Sequence, residues 1–363
     1  MVIKIVEDIK GMLPDNADVS SISFEGANIV IYTRNKDFFL DSNGIIKKIV
    51  GEIKKRVELR PDPSLCLNLE KAEKIIRDAM PEEVGKVEVT FDPQRSQVFI
   101  EAEKPGLAIG KSGENLKEIK KKTLWVPLVQ RIPSIRSKLI ENIRQVLYQN
   151  DDYRKKFLNS VGERIYGPRR KDKKTDWIRI SFLGGASQVG RSSYLLQTEE
   201  SNILVDCGVN VAAPEDSAYP YLQAPELKID QLDAVILTHA HVDHSALVPL
   251  LFKYGYRGPV YCTPPTRDIA SMLCLDFINI AQMENKKGLY DTADVKEFVK
   301  HTITLSYEEV TDITPDVRLT FYDAGHILGS AMAHLHIADG LHNIMFSGDM
   351  NFETSNLLSP AVT

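Results

Sequence analysis

The sequence predicts two small α+β modules followed by a larger, sheet-rich α/β domain built in layers. Three observations predict this fold. The first 150 residues show the same order of helical and strand patterns twice. A polar stretch, Gly167–Asp176, then opens with Gly-Pro and has no apolar periodicity. From Trp177 onward the chain consists largely of short apolar runs, several of which end in Asp or His.

The first module has helical spacing and two alternating strands: helices at Ile3–Met12 and Ile45–Ile53, strands at Ser20–Phe24 and Asn28–Tyr32. The second module repeats that order: helices at Ala72–Ala79 and Glu114–Lys121, strands at Lys86–Phe91 and Gln97–Ala102. Pro61 and Pro63 predict an extended connector between the modules. Apolar residues at helical spacing from Ile135 to Leu147 predict a helix that packs on the modules. We therefore expect domains at 1–62, 63–150 and 177–363, with a helical connector and basic linker at 151–176.

Composition excludes several classes of protein. The 363 residues are 43% apolar and 26% charged, which is typical of two or three globular domains. No apolar run of about 18 residues predicts a membrane span, and the N-terminus does not resemble a secretory signal. The cysteines are scattered, with no C-x-x-C pair, which is typical of buried thiols: Cys66, Cys207, Cys262 and Cys274. We expect a cytoplasmic protein with no membrane partner.

The charge is divided unequally along the chain. Residues 1–176 hold 34 Lys and Arg against 27 Asp and Glu, whereas residues 177–363 hold 11 against 23. This asymmetry indicates that residues 1–176 can bind a polyanion and that residues 177–363 can bind cations.

Two glycines bracket a basic residue just before the last helix of the second module, at Gly110, Lys111, Ser112 and Gly113. Without Cβ atoms such a loop can approach a sugar–phosphate chain, and the helix N-terminus adds positive charge. A simple turn at the start of the helix is the alternative. The segment resembles the GxxG loop of KH domains, whose apolar positions match Ile109, Leu116 and Ile119. That resemblance implies binding of single-stranded nucleic acid by Gly110–Gly113.

The first module departs from this pattern. Its corresponding segment is Asp41-Ser42-Asn43-Gly44, in which an acid replaces the first glycine. A carboxylate there would repel phosphate, so we expect a degenerate, KH-like module that serves as an auxiliary surface.

Two groups of basic residues allow two interpretations, a phosphate track or a solvated surface. The first group lies on the helix after the loop: Lys117, Lys120, Lys121 and Lys122. The second lies in the linker, where we favour the solvated surface: Arg169, Arg170, Lys171, Lys173 and Lys174.

The segment Thr238–His244 places three imidazoles and a carboxylate directly after an apolar strand, Ala234–Leu237. Imidazole and carboxylate together suit Zn²⁺ and related ions. Because alternate residues point in different directions, His239 and His241 can bind one ion while Asp243 and His244 bind a second.

This segment is the HxHxDH motif of the metallo-β-lactamase superfamily. The resemblance implies an αββα fold and three further site residues. Asp206 matches an acid that supports the metal-binding loop, His326 a ligand to the first ion, and Asp349 a carboxylate that bridges both ions. The remaining histidines match no motif and are expected to be structural: His301, His334, His336 and His342.

KH modules followed by this motif set resemble archaeal homologues of the cleavage and polyadenylation specificity factor endonuclease subunit. These are β-CASP ribonucleases, and the group includes an archaeal transcription termination factor. The resemblance implies two Zn²⁺ ions, a catalytic set of Asp206, Asp243 and Asp349, and cleavage of single-stranded RNA as an endonuclease, a 5′-to-3′ exonuclease, or both. It also implies a role in RNA 3′-end formation and termination, with RNA polymerase or other transcription machinery and a second copy of the chain as partners.

That family continues after Asp349 with a β-CASP domain and further histidines, whereas this sequence reaches Thr363 without another histidine. We therefore expect an incomplete metallo-β-lactamase domain, with the β-CASP domain absent and cleavage impaired. Two alternatives remain: an RNA-binding scaffold with an inactive metal fold, and a metallo-hydrolase of a small-molecule ester. The metal-ligand residues favour the nuclease over the scaffold, and the KH modules favour it over the small-molecule enzyme.

Overall fold

The computed structural model describes residues 4–133, 136–168, 177–214 and 217–362. The chain forms two compact units, one of Met1–Ser137 with Asp151–Glu163, and one of Lys138–Asn150 with Arg164–Thr363. The basic linker residues Arg169, Arg170, Lys171, Lys173 and Lys174 lie outside the described residues.

The first unit contains two modules built in the same order. The first consists of α1 (Lys4–Met12), β1 (Val19–Glu25), β2 (Asn28–Thr33), α2 (Lys36–Leu40), α3 (Asn43–Ile53) and β3 (Val57–Pro61). The second consists of α4 (Leu69–Asp78), β4 (Val87–Asp92), β5 (Gln97–Ala102), α5 (Pro105–Ile109), α6 (Glu114–Thr123) and β6 (Val126–Arg131). In each, the central strand pairs antiparallel with the first strand and parallel with the third. The predicted internal repeat is confirmed.

Each module also contains a short helix and a third strand that the apolar pattern did not predict, α2 with β3 and α5 with β6. The segment around Pro61 is extended, as expected, but it forms a parallel strand of the sheet. Its sequence pattern was obscured by Arg60, whose side chain is only 2% exposed. The guanidinium is buried because it donates two hydrogen bonds to the Glu25 carboxylate, at 2.6 and 2.9 Å.

Two helices follow the modules, α7 (Lys138–Tyr148) and α8 (Asp151–Tyr166). In the first unit α8 holds the tips of both hairpins. The Gly26 amide donates to Leu158 O at 3.0 Å, and Lys155 Nζ donates to Gln94 O at 2.7 Å. One helix thereby fixes both modules within the same unit.

The second unit is a sandwich of two sheets. Its elements are β7 (Arg179–Gly184), β8 (Ser193–Gln197), β9 (Asn202–Val205), β10 (Ala234–Ile236), α9 (Val242–Ser245), α10 (Val248–Lys253), β11 (Val260–Cys262), α11 (Pro264–Met283), α12 (Thr292–His301), β12 (Thr302–Thr304), β13 (Thr311–Asp312), β14 (Val317–Asp323), β15 (Ala331–Ile337) and β16 (His342–Phe346). One sheet has the order β12-β11-β10-β9-β8-β7, with β9 to β12 parallel. The other is antiparallel, in the order β13-β14-β15-β16.

Alternation along the central strands explains the layers. Leu204 of β9 and Val235 of β10 pack against the helices, in a core that includes Phe252 of α10. Their neighbours point the other way, so that Ile236 packs with residues of the second sheet such as Phe321. Strands buried on both faces read as continuous apolar runs, which is what the sequence shows.

Helix α7 departs from its predicted packing. It belongs to the second unit, where it lies against α11 and α12. The Arg144 side chain of α7 donates to the buried Asp268 carboxylate of α11, at 2.7 and 3.0 Å. The expectation was wrong because an apolar stripe specifies which helix face is buried but does not specify its partner.

Other details also differ from expectation. A short helix, α9, precedes α10, and Pro249 lies at the start of α10, where its missing N–H is tolerated. All four cysteines are free; three are buried, and Cys66 is only half-buried. Within the described ranges, no helix is both long and apolar enough to cross a bilayer.

Candidate metal centre and nucleic-acid-binding loop

The predicted metal ligands lie in loops that follow strands of both sheets. His239 and His241 follow β10, His326 lies between β14 and β15, and Asp349 follows β16. A hydrogen bond from the Ala331 amide to Thr238 O, at 2.9 Å, joins the start of β15 to the loop after β10. The two sheets thus bring residues far apart in sequence to one end of the sandwich.

Four donors form a compact group: His239, His241, His326 and Asp349. Nδ1 of His241 lies 3.2 Å from Nε2 of His239 and 3.2 Å from Nε2 of His326. Oδ2 of Asp349 lies 3.9 Å from the His239 nitrogen and 3.6 Å from the His326 nitrogen. A tetrahedral zinc ion with Zn–N bonds of about 2.0–2.1 Å requires donors about 3.3 Å apart. The spacing of this group therefore fits one divalent ion.

A second set of donors faces the other oxygen of Asp349. Oδ1 of Asp349 lies 3.4 Å from Nε2 of His244, and Oδ2 of Asp243 lies 4.0 Å from the same nitrogen. One carboxylate thus presents one oxygen to each donor group, which is the arrangement that a bridging ligand requires.

Asp206 lies behind these donors rather than among them. Its carboxylate accepts hydrogen bonds from the Thr238 amide and the Thr238 hydroxyl, both at 2.8 Å. One of its oxygens also lies 2.8 Å from Nδ1 of His244 and leaves Nε2 directed at the site. The side chain is 1% exposed. The carboxylate thus holds the His244 imidazole and the Thr238 backbone in place, and its role in supporting a metal site stays a prediction.

The loops before β8 and after β9 fit tightly against the HxHxDH segment. The Ser192 amide donates to Asp243 O at 2.9 Å, and the Cys207 amide donates to His244 O at 2.8 Å. A Cβ atom on Gly208 would overlap the backbone of Asp243. Glycine is required at 208 because two backbone segments meet there.

Electrostatics favour the metal-binding forms of His239 and Asp349 but the protonated form of His244. Burial lowers the pKa of His239 to about 2, so this imidazole is neutral and can bind a metal. Burial alone would also lower the pKa of His244, but the Asp206 carboxylate outweighs it and raises that pKa to about 10. The hydrogen bond from His244 lowers the pKa of Asp349 to about 2. A metal at His244 would therefore displace a proton.

A cavity of about 460 Å³ adjoins the side of the site that carries Asp243 and His244. Its apolar wall includes Phe182, Tyr194 and Phe346. The second donor group is therefore accessible from outside the sandwich.

The GxxG segment of the second module forms a loop between two helices. Helix α5 ends at Ile109, and α6 begins after a single 3₁₀ turn, Lys111–Gly113. Gly110 and Gly113 have φ values of 76° and 75°, in the left-handed region that favours glycine. A Cβ atom on Gly110 would also lie 2.9 Å from the Asn115 side chain. Lys111 is exposed at the tip of the loop.

The first module lacks this loop. Helix α2 ends at Leu40 and α3 begins at Asn43, so only Asp41 and Ser42 separate the two helices. Gly44, which the sequence aligned with Gly113, lies inside α3. The first module therefore has no counterpart of the four-residue loop that could approach phosphates.

The lysines of α6 do not form one track. Nζ of Lys120 lies over the Phe39 ring of the first module, 4.1 Å from its centre, and Lys122 pairs with Glu118 at 2.6 Å. Lys117 and Lys121 are exposed. Lys120 is therefore a packing contact between modules, whereas Lys117 and Lys121 lie on the solvent side of α6.

Sequence reasoning missed one residue at the centre. The Ser192 hydroxyl lies 3.3 Å from Nε2 of His244 and is buried. It lies in the loop between β7 and β8, where no pattern relates it to a histidine 52 positions later.

Comparisons with known proteins agree with this architecture. Residues 1–66 match the family model "Transcription termination factor FttA, KH domain", and residues 70–123 match "KH domain". Residues 195–363 match "Metallo-beta-lactamase superfamily domain". Both modules and the sandwich are thus assigned by separate families.

Curated relatives match almost the whole chain. A protein from Methanosarcina mazei named "Transcription termination factor FttA" is 49% identical over 355 residues, covering 98% of this chain and 55% of the relative. Its namesake in Pyrococcus abyssi is 49% identical over 369 residues, covering 99% of this chain and 57% of the relative. The chain therefore spans little more than half the length of these relatives.

Solved structures match at low similarity, for example the metallo-β-lactamase fold protein YhfI from Bacillus subtilis. It is 22% identical with a TM-score of 0.32, covering 49% of this chain and 65% of that chain. The family matches carry the assignment: the chain consists of KH domains followed by a metallo-β-lactamase superfamily domain, and its close homologues are archaeal proteins named transcription termination factor FttA.

Proposed function

We propose that this chain belongs to a zinc-dependent ribonuclease that binds single-stranded RNA through its second KH module and cleaves phosphodiester bonds at a dinuclear site. The observation that carries the proposal is the position of Asp349, whose two oxygens face two separate donor groups. A single-ion site would not need a second set of donors on the far side of this carboxylate.

The donor chemistry supports two Zn²⁺ ions. His239, His241 and His326 would hold the first through nitrogen, Asp243 and His244 would hold the second, and Asp349 would serve both. Two such ions would supply a lowered pKa of bound water and stabilisation of the charge that develops on a phosphodiester. The protein's own contribution is to hold the His239 and His241 imidazoles neutral and to fix the direction of His244 through Asp206.

The KH loop supports RNA as the substrate. Lys111 and the start of α6 present positive charge at a backbone that can approach phosphates closely. The names of the relatives support a role in transcription termination, and with it RNA 3′-end formation. We extend the proposal to RNA polymerase or other transcription machinery as a partner, to a second copy of the chain, and to a cytoplasmic location.

The metal half of the proposal is tested by the double variant His239→Ala with Asp243→Ala. RNA cleavage and zinc content are measured in this chain and, at the equivalent positions, in one full-length relative. Cleavage and zinc should both be lost while RNA affinity is unchanged, because the loop and the metal centre lie in separate units. His342→Ala, an exposed histidine outside the donor groups, is the matched control. A double variant that cleaves normally refutes the assignment.

The RNA half is tested by a pair of variants at Gly113, where a Cβ atom meets nothing within 4 Å. Gly113→Asn keeps a residue that tolerates the left-handed region, and Gly113→Asp has nearly the same shape with a negative charge. Fluorescence anisotropy with labelled single-stranded RNA should show much weaker binding for the Asp variant than for the Asn variant. The difference should shrink as salt is added. Equal RNA affinities of the two variants would show that the loop is not part of the binding site.

The same measurements separate the alternative functions. An RNA-binding scaffold would bind RNA through Gly110–Gly113 and show no metal-dependent cleavage in the full-length relative. A hydrolase of small esters would bind zinc, but variants in the KH loop would not change its activity. Only the ribonuclease requires both sets of variants to lower RNA cleavage, one through the metal and one through affinity.

A further inference from the structure

We propose that Thr263 and Thr266 are positioning residues for the metal ligand His326. This inference rests on the proposed metal-binding function and names residues outside every motif considered above. Both threonines lie at the start of α11, and their hydroxyls hold the loop that carries His326.

The two hydroxyls converge on one backbone carbonyl. Oγ1 of Thr263 donates to Gly329 O at 2.7 Å, and Oγ1 of Thr266 donates to the same oxygen at 2.8 Å. Thr263 and Thr266 are 2% and 0% exposed, so water does not compete for these bonds. A buried carbonyl that accepts from two side chains is held strongly against displacement.

The loop is also built to allow this close approach. Gly329 has a φ of 84°, and a Cβ atom there would lie 2.7 Å from the Thr263 hydroxyl. The next residue, Ser330, accepts hydrogen bonds at its hydroxyl from the amides of His326 and Ile327, at 3.1 and 3.2 Å. The carbonyl that the threonines hold is therefore adjacent to the residue that fixes the backbone of His326.

The imidazole of His326 depends on this backbone. Its Nε2 faces other donors of the metal centre, His241 at 3.2 Å and Asp349 at 3.6 Å. A bound metal ion would take the place of these direct contacts, so they cannot orient the imidazole in the metal-bound protein. The direction of the imidazole toward the metal is thus set by the loop, and the loop is set by Ser330, Thr263 and Thr266.

The start of α11, which carries both threonines, is itself held firmly in place. Thr263 caps α11, a helix of 20 residues, by accepting from the Thr266 amide. Asp268, one turn further along, is 5% exposed and accepts from Arg144 and Arg267. The start of α11 is thereby anchored on a long helix, which makes it a firm support for a ligand loop.

The test exchanges hydroxyl for methyl in the 363-residue chain. Thr263→Val with Thr266→Val keeps the side-chain shape and removes both donors, whereas Thr263→Ser with Thr266→Ser retains them. Zinc affinity is measured by competition with a chromophoric chelator. The valine variant should bind its tightest zinc ion about 10-fold or more weakly, the range found when groups that support a metal ligand are removed. The serine variant should bind as the unaltered chain does.

The control is Thr302→Val. Thr302 is 1% exposed and donates to Phe298 O at 2.8 Å, at the junction of α12 and β12 rather than at a ligand loop. It should lower the melting temperature of the metal-free protein without weakening zinc binding. If the double valine variant does not fold, Thr266→Val alone is measured, since it removes one donor and leaves the cap at Thr263.

The outcomes separate the two proposals. If the unaltered chain binds no zinc, the proposed function fails. If it binds zinc and the folded valine variants bind it equally tightly, the positioning role of Thr263 and Thr266 is refuted. If Thr302→Val weakens zinc binding as much as they do, the effect is a general loss of stability and the inference is again refuted.

Discussion

Replacing Asp206 with alanine should destabilise the second unit even without metal. The carboxylate is buried and makes three interactions at 2.8 Å, two with Thr238 and one with His244. Hydrogen bonds to a charged group contribute about 1.5–3 kcal/mol each. Because the three bonds share one carboxylate, their energies do not simply add. We expect the free energy of unfolding to fall by about 3–5 kcal/mol, which is typical when one partner of a buried pair is removed. For a domain of this size that corresponds to a fall of about 6–20 °C in melting temperature.

The assay is thermal unfolding of the metal-free chain followed by circular dichroism, with zinc affinity measured in parallel. Asp349→Ala is the matched control, because its side chain is 47% exposed. That variant should lose zinc binding but change the metal-free stability by no more than about 1 kcal/mol. Asp206→Ala should lose both. If Asp206→Ala melts at the temperature of the unaltered chain, the carboxylate does not support the loop and the assignment of its role is wrong.

Two further predictions concern the backbone and the RNA-binding unit. Gly208→Ala should prevent the loops from closing around Asp243, so that zinc binding is lost and the melting temperature falls, as calorimetry with a zinc titration would show. Arg60→Met should leave the largely buried Glu25 carboxylate with Arg95 as its remaining partner and cost the first unit up to about 3 kcal/mol in urea unfolding, whereas Arg34→Met, with a side chain 61% exposed, should cost less than about 1 kcal/mol. Equal effects of the two arginine variants would contradict the buried-pair argument.

The residues predicted as metal donors converge in the structure because the information for them is local. His239, His241 and His244 follow one apolar strand, and a strand that ends in such residues presents them at the edge of a sheet. His326 and Asp349 end other runs of the same kind. Which ends of which strands meet depends on sheet order, and the sequence supplied that only through the resemblance to a known family.

What the sequence did not predict depends on long-range partners. Strand β3 was obscured because Arg60 reads as exposed, and its burial depends on Glu25, 35 residues away, as well as on the nearby Glu58. Helix α7 was assigned to the wrong neighbour because its pattern marks a face but no partner. Thr263 and Thr266 have the ordinary pattern of a helix start. Their bonds to Gly329 span more than 60 positions and leave no periodic signal.

Thr238 shows why the site depends on the register of both sheets. Its amide and hydroxyl bind Asp206 after β9, and its carbonyl accepts from Ala331 at the start of β15. A Cβ atom on Gly348, one residue before Asp349, would lie 2.8 Å from the Thr238 hydroxyl. The backbone and side chain of this one residue thus contact three segments that support the predicted donors. A shift of either sheet by one residue would break these contacts and displace the donor loops relative to one another. The packing of the sandwich core is therefore part of the geometry that brings the oxygens of Asp349 to both donor groups.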